Sequence, residues 1–165
     1  MQWRSTNGED CIVSESSDRE MVIERVIDAP QELIFRAFTE PDHVKHWWGP
    51  NGFTNTIHEM DVRPGGIWRF IMHGPDGTDY PNKIVYVEVS PPERLVYEHS
   101  GERPDGPVAF RSTVTLESSG GKTKVTLRVV FPNAVEYQRA KEFGAVEGGQ
   151  QTLARLDVYV KAMAA

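Results

Sequence analysis

The sequence predicts an α+β protein in which an antiparallel, curved sheet of six to seven strands wraps around a long C-terminal helix. Three observations lead to this fold class: a helical apolar period over residues 145–163, alternating apolar and polar residues between residues 53 and 131, and short turn sequences between the alternating runs. Strands joined by tight turns favour an antiparallel meander over a doubly wound parallel sheet. Such a sheet has one face to bury, and the helix has one apolar face to cover it.

The C-terminal helix carries two glycines in its first turns. Each of Gly148 and Gly149 costs roughly 1 kcal/mol relative to alanine inside a helix. Two explanations stay open: the ordinary one is that another backbone packs close to the glycines or that the first turn frays, and the other is that they keep space for a ligand. The apolar face is expected to contain Val146, Gly149, Leu153, Leu156, Val160 and Met163, and the polar face Glu147, Gln150, Gln151, Arg155, Asp157 and Lys161.

Two short helices are expected after the first strand. The β-branched run over residues 20–28 predicts that strand. Proline fits the first turn of a helix, so Pro30 marks the first helix start, and Thr39-Glu40-Pro41-Asp42 starts the second with Thr39 as the candidate cap. The second helix ends where Gly49 and Pro50 follow a pair of tryptophans, because both residues break helices.

The rest of the sheet is expected from alternating runs that turn sequences separate. Gly74-Pro75-Asp76-Gly77 is the strongest of these turns, and it predicts a hairpin. A further short helix is expected before the C-terminal one. The predicted strands cover residues 53–62, 67–73, 83–90, 95–99, 108–116 and 125–131, and the short helix covers residues 134–143.

The first residues of the chain differ in composition from the rest. Residues 1–17 are rich in Ser, Glu, Asp and Gly, and they predict a polar N-terminal tail with Trp3 or the Ile12–Val13 pair as docking points. Residues 18–165 are then expected to form one domain, since a domain typically has about 100–200 residues.

Composition argues against several classes of partner. The formal net charge is −6 and no block of Lys or Arg appears, so a nucleic-acid partner is not expected. No apolar run approaches the roughly 20 residues that span a bilayer, so no membrane span is expected. The single cysteine, Cys11, excludes an intramolecular disulfide and suits the reducing cytoplasm, which is the expected location.

Aromatic residues are numerous on the predicted strands and turns. They could fill an ordinary core, or line an apolar cleft of roughly 300–1,000 Å³ of the kind that binds small molecules. The two interpretations are compatible, because one face of a sheet can bury core at one end and line a cleft at the other. The residues predicted to bind a ligand are Trp48, Phe53, Trp68, Phe70, Tyr86, Tyr97, Phe110, Gly149 and Leu153.

The sequence shows no familiar metal or cofactor motif. His43 and His46 stand three residues apart on a short helix, but no further ligand follows at zinc spacing. A nucleophile elbow, a phosphate-binding loop and a dinucleotide fingerprint are likewise missing from the sequence. We therefore expect no metal and no cofactor.

The acidic residues predict structure more readily than catalysis. Glu59 or Asp61 beside Arg69 on a neighbouring strand would make an ordinary cross-strand ion pair. A single acid such as Glu88 or a phenol such as Tyr97 could still transfer a proton inside a cavity. The catalytic residues, if there are any, stay unassigned.

Several short motifs in a fixed order resemble the START-like (SRPBCC) superfamily, and most closely its branch named after the activator of the heat-shock-protein ATPase. The resemblance covers about residues 20–163 and implies a helix-grip fold with a deep apolar cavity. Many relatives carry an aromatic residue after the glycines of the last helix, so the glutamines here imply a more polar cavity end. The motifs are Ala29–Phe35, Thr39-Glu40-Pro41, Trp47-Trp48-Gly49-Pro50, Arg63–Gly66, Trp68-Arg69-Phe70, Gly74–Gly77, Pro92–Leu95 and the Gly148–Tyr159 stretch.

Three functions are open to a chain of this kind. The first is binding of a small hydrophobic molecule, such as a lipid, a polyketide or another apolar metabolite, between the sheet and the C-terminal helix. The second is a cyclase- or hydrolase-type enzyme that uses the same cavity. The third is a chaperone-associated or stress-response interaction domain, with a homodimer or a chaperone contact as the expected assembly.

Overall fold

The computed structural model describes residues 2–4, 11–100 and 109–164. These residues form nine strands and four helices. The strands are β1 (Gln2–Arg4), β2 (Cys11–Ser17), β3 (Glu20–Ile27), β4 (Thr54–Met60), β5 (Ile67–His73), β6 (Asp79–Ser90), β7 (Arg94–Ser100), β8 (Phe110–Ser119) and β9 (Lys122–Val130). The helices are α1 (Gln31–Thr39), α2 (Pro41–Val44), α3 (Ala134–Glu142) and α4 (Ala145–Ala164).

The strands of the described residues form one antiparallel sheet in the order β1-β2-β3-β9-β8-β7-β6-β5-β4. Within this order, β3 and β9 are the neighbours that are not consecutive in the chain. Helices α1 and α2 follow β3 and precede β4, so they carry the chain from the interior of the sheet to its far edge. The predicted α+β class and helix-grip architecture are confirmed.

The strand count is higher than predicted because residues 11–17 belong to the sheet and not to a tail. Strand β2 pairs with β3, with Val13 opposite Ile23, and β1 pairs with β2. Val13 is 1% exposed and lies in the core. All seven predicted strands are present, and β1 and β2 raise the number to nine. The polar composition of this stretch concealed the strand, because one inward apolar side chain is enough to anchor it.

Helix α4 packs on the inner face of the sheet through the apolar stripe that its period predicted. Val146, Leu153, Leu156 and Val160 are buried. The prediction was wrong for Asp157, which was expected on the polar face and is only 6% exposed. Inward-facing Arg25 of β3 explains this burial, because its Nε and Nη2 atoms each lie 2.9 Å from Asp157 Oδ2. Within the described residues, no helix combines the length and apolar character that a membrane crossing needs.

Helix α1 fixes the turn that follows α2, which is called the tryptophan turn here and consists of residues 46–53. The side chain of Trp47 is 1% exposed, and its Nε1 donates to the carbonyl oxygen of Ala37 at 3.0 Å. Its ring also meets Phe38 edge to face, with centroids 4.8 Å apart. The chain after α2 is thereby held against the core, and the next residue, Trp48, is directed towards the sheet.

Candidate functional site

An open cavity of about 340 Å³ lies between the inner face of the sheet and the first half of α4. Phe143, at the turn between α3 and α4, lines it and is 86% exposed, so this turn lies at the cavity mouth. The sheet contributes Met21, Met72, Tyr97, His99, Phe110, Ser112, Leu127, Val129 and Phe131. The helices and turns contribute Phe38, Trp47, Trp48, Gly49, Pro50, Ala140, Phe143, Gly144, Ala145, Gly148, Gly149, Thr152 and Leu153.

The cavity wall brings together five of the nine residues that the sequence predicted to bind a ligand. Trp48 lies on the turn after α2, Tyr97 on β7 and Phe110 on β8, and α4 supplies Gly149 and Leu153. They meet because the strand alternation turns Tyr97 and Phe110 towards the helix. Their contact with a ligand stays a prediction.

The other four predicted residues lie outside the described wall. Trp68 and Phe70 stack on each other at 4.2 Å, and the Trp48 ring covers Trp68 at 4.8 Å. Trp48 therefore separates this stacked pair from the cavity. The remaining two predicted residues are Tyr86, which lies against Tyr97 at 6.4 Å, and Phe53, which lies against Tyr80 at 5.9 Å.

The glycine pair of α4 combines both explanations that the sequence left open. A methyl group added at Gly149 would lie 2.5 Å from Ile23 Cδ1, which is well inside van der Waals contact. One added at Gly148 would lie 3.3 Å from Pro50 Cγ. Both glycines also line the cavity. Gly149 thus allows close packing of α4 on β3, Gly148 allows it on Pro50, and both leave space beside the helix.

Arg155 of α4 holds the turn that carries Trp48. Its Nη1 donates to the carbonyl oxygens of Gly49 at 2.9 Å and Pro50 at 2.8 Å. Its Nη2 donates to those of His46 at 3.2 Å and Phe53 at 3.0 Å. One guanidinium therefore ties a whole turn of the cavity wall to the helix. Sequence reasoning missed this role, because backbone carbonyl groups leave no signature in a side-chain pattern.

The two glutamines of α4 lie outside the described cavity wall, although the resemblance had implied a polar cavity end there. Gln151 instead accepts a hydrogen bond from the backbone N–H of Asn51 at 3.1 Å through its Oε1. Gln151 precedes Arg155 by one turn of the helix. Both side chains bind the tryptophan turn of the cavity wall. The glutamine side chain thus reinforces the attachment of this turn to α4.

The polar groups of the cavity cluster on β7 and β8. Tyr97 of β7 pairs in register with Ser112 of β8, so their side chains lie next to each other on the face of the sheet that lines the cavity. Burial raises the pKa of Tyr97, so the phenol stays protonated at neutral pH. His99 lies two residues further along β7 on the same face, and burial lowers its pKa to about 4. The wall therefore offers uncharged polar groups at neutral pH.

The other candidate titratable groups lie away from the cavity. His43 Nδ1 lies 2.8 Å from the hydroxyl of Tyr159, and the His46 ring stacks on that phenol at 5.8 Å. Across the part of the chain that the structure describes, no group of three or more potential metal ligands occurs. The predicted cross-strand pair is confirmed for Glu59, which lies 3.2 Å from Arg69 Nη1.

Glu88, the acid that the sequence offered for catalysis, lies outside the described cavity wall. Its Oε2 accepts a hydrogen bond from Ser90 at 3.0 Å and lies 3.2 Å from the Nε of Arg94. A half-exposed carboxylate with two partners is a surface group. Tyr97 is the candidate proton donor that does line the cavity.

The family follows from a comparison with family models. The model described as "Activator of Hsp90 ATPase homolog 1-like protein" matches residues 28–161, which include the tryptophan turn, the sheet from β4 to β9 and most of α4. The chain belongs to this family. The resemblance to the START-like superfamily and to this branch is thereby confirmed. No curated protein matches the chain.

Solved structures resemble this member of the Activator of Hsp90 ATPase homolog 1-like family over most of its length. A protein from Arthrobacter aurescens is 22% identical, with 91% of each chain covered and a TM-score of 0.84. One from Mycobacterium smegmatis is 24% identical, with 92% of this chain and 97% of that chain covered and a TM-score of 0.82. An AHSA1-like protein from Aeromonas hydrophila is 21% identical, with 88% and 94% covered and a TM-score of 0.69. At these identities the likeness shows the fold.

Proposed function

We propose that this protein binds a small, mostly apolar molecule in the cavity between the sheet and α4. The observation that carries the proposal is an open space of about 340 Å³ walled by aromatic and aliphatic side chains, with a few polar groups on neighbouring strands. That composition and size are usual for small-molecule sites. Membership of a family with the START-like fold supports the same function.

Ligand binding is better supported than the two alternatives. Among the described residues of the wall there is no carboxylate, so the phenol of Tyr97 is the one proposed proton donor there, and burial keeps it protonated. A chaperone partner, which the family name suggests, is expected to have a closed interior and one large exposed apolar patch. The cavity is open instead, and exposed residues such as Val26, Val87 and Val135 lie on separate elements.

A titration with an uncharged fluorescent probe tests the proposal. N-phenyl-1-naphthylamine gains emission when it enters an apolar site, and Trp47 and Trp48 lie in the wall where they can transfer energy to it. We expect saturable one-to-one binding. Ala140→Phe adds a ring at the wall and should weaken binding about tenfold or more, whereas Ala162→Phe, on an exposed part of α4, should not.

Two results would refute the proposal. One is a probe signal that rises linearly with concentration, because a site in the cavity must saturate. The other is an equal dissociation constant in both alanine variants, because the probe would then bind somewhere else on the surface.

A further inference from the structure

The described part of the cavity wall lacks the charges that an ionic ligand would require. Among the described residues that line it, none is an Asp, Glu, Lys or Arg. An ion that enters such a site loses its hydration and gains no counter-charge, which is strongly unfavourable. The cavity therefore selects against carboxylates, phosphates and ammonium groups.

A hydrogen-bond relay across β6 and β7 fixes the tautomer of His99. The Nδ2 group of Asn82 donates to the carbonyl oxygen of Tyr80 at 2.7 Å, so the Oδ1 of this amide must face the other way. That Oδ1 meets His99 Nε2, and an oxygen that only accepts requires Nε2 to carry the proton. Because burial lowers the pKa of His99, the ring is neutral and its Nδ1 holds a lone pair.

The Nδ1 atom of His99 is an acceptor that no described residue uses. The ring forms part of the cavity wall, and within the described residues Nδ1 has no hydrogen-bond partner. Nearby, Tyr97 and Ser112 occupy paired positions on β7 and β8 and both line the cavity, so a hydroxyl donor lies beside it. A free acceptor and a hydroxyl donor thus lie on adjacent strands. The hydroxyl of Thr152 is engaged, since it donates to the carbonyl oxygen of Gly148 at 2.7 Å.

We propose that the ligand is an uncharged aromatic alcohol whose hydroxyl group donates to His99 Nδ1, an inference that rests on the proposed function of the cavity. A hydroxyl group both donates and accepts, so it matches the free acceptor and the hydroxyl donor together. A ketone would leave Nδ1 unmatched, because it only accepts. The aromatic part meets Trp48, Phe110 and Phe131, which favour flat rings in offset or edge-to-face contact.

Three probes of the same shape test this inference by equilibrium dialysis at pH 7: 2-naphthol, naphthalene and 2-naphthoate. We expect 2-naphthol to bind about fivefold more tightly than naphthalene, as a net neutral hydrogen bond gives. We expect 2-naphthoate to bind more weakly than 2-naphthol by about tenfold or more, because its carboxylate is ionised.

Two variants assign the effect to the imidazole. His99→Phe should bind naphthalene and lose the preference for 2-naphthol, since phenylalanine keeps the bulk and lacks the acceptor. His99→Gln should keep a preference for 2-naphthol, because its amide oxygen can accept the same hydrogen bond. Binding of naphthalene by each variant shows that the cavity is intact.

The outcomes separate this inference from the function on which it rests. Equal binding of 2-naphthol and naphthalene, tightest binding of 2-naphthoate, or a 2-naphthol preference that survives in His99→Phe would overturn the inference and leave apolar binding in place. Failure of all three probes to bind the unmodified protein would overturn the proposed function and this inference with it.

Discussion

Replacing Gly149 by alanine tests how closely α4 packs on β3. The substitution removes a helix-interior glycine, which by itself stabilises a helix by about 1 kcal/mol. Against this, the new methyl group would lie 2.5 Å from Ile23 Cδ1, about 1 Å inside ordinary contact. Ile23 is 0% exposed, so its side chain must shift within the core to make room, and overpacking of this kind costs about 1–3 kcal/mol. We expect a net loss of about 1 kcal/mol in the free energy of unfolding.

A double-mutant cycle with Ile23→Val isolates the contact. Removing Cδ1 alone costs about 1 kcal/mol, as other buried Ile→Val changes do. In the double variant the clash is removed, and the helix is still stabilised by the replacement of a glycine. The free energy of unfolding of the double variant should therefore match that of the unmodified protein. If the two single losses were additive, the double variant would be about 2 kcal/mol less stable than the unmodified protein. The difference between this value and the measured one is the coupling energy.

Denaturation in urea or guanidinium chloride measures these free energies, with equal m-values as the condition for comparison. A loss of 1 kcal/mol should also lower the melting temperature by about 2–4 °C in a chain of this size. Gly148→Ala is the matched control: its methyl group would lie 3.3 Å from Pro50 Cγ, so it should not couple to Ile23. A Gly149→Ala protein that gains 1 kcal/mol without coupling to Ile23→Val would refute the close-packing argument.

Three further predictions concern charged and titratable groups. Asp157→Asn removes the negative charge that faces buried Arg25, and we expect the free energy of unfolding to fall by about 3 kcal/mol in a denaturant titration. Arg155→Met removes the donors to the tryptophan turn, and we expect a loss of about 1.5–3 kcal/mol with faster amide hydrogen exchange in residues 46–53. Burial holds the pKa of His99 at about 4, against about 6.5 when unfolded. The unfolded state therefore takes up the proton first as the pH falls, and the protein should lose up to about 3 kcal/mol between pH 6.5 and pH 4 that His99→Gln does not lose.

Each of these predictions has a control or a contrary result. Glu98→Gln breaks an exposed ion pair with Arg111 and should cost less than about 1 kcal/mol, so a similar loss for Asp157→Asn would contradict the importance of burial. Arg155→Lys keeps the charge with fewer donors and should recover part of the loss; exchange rates unchanged in both variants would rule out the attachment. Parallel stability-against-pH curves for the unmodified protein and His99→Gln would show that the imidazole does not titrate as described.

The architecture could be predicted from the sequence because it depends on periods that a single chain displays. The stripe of α4, the alternation from β4 to β9 and the turn sequences each act locally, and together they allow few arrangements. Strand β2 was not predicted because its inward residue Val13 belongs to a two-residue apolar pair inside a polar stretch, which is too short to show a period. The burial of Asp157 was not predicted for a different reason: it depends on Arg25, which is 132 residues away in the chain.

The candidate site was harder to predict, because alternation tells which face of a strand points inward and not how deep the space above it is. Trp68 and Tyr97 both face inward and both belong to the buried core. What separates their roles is the ring of Trp48, which lies 4.8 Å from Trp68 and 6.2 Å from Tyr97. Tertiary contacts set the position of Trp48, and the alternation of residues along a strand does not reveal such contacts.

The attachment of that turn therefore decides where core ends and cavity begins. The guanidinium of Arg155 fixes the turn through backbone carbonyl groups, so the side chains on the turn could change without loss of the attachment. A chain with the same sheet and the same α4 could then present a cavity of another shape by altering only residues 47–53. On this reasoning, the fold of such a protein follows from its strands and helix, while the shape of its cavity follows from one turn, and the proposed choice of ligand follows from that shape and from His99 in the wall.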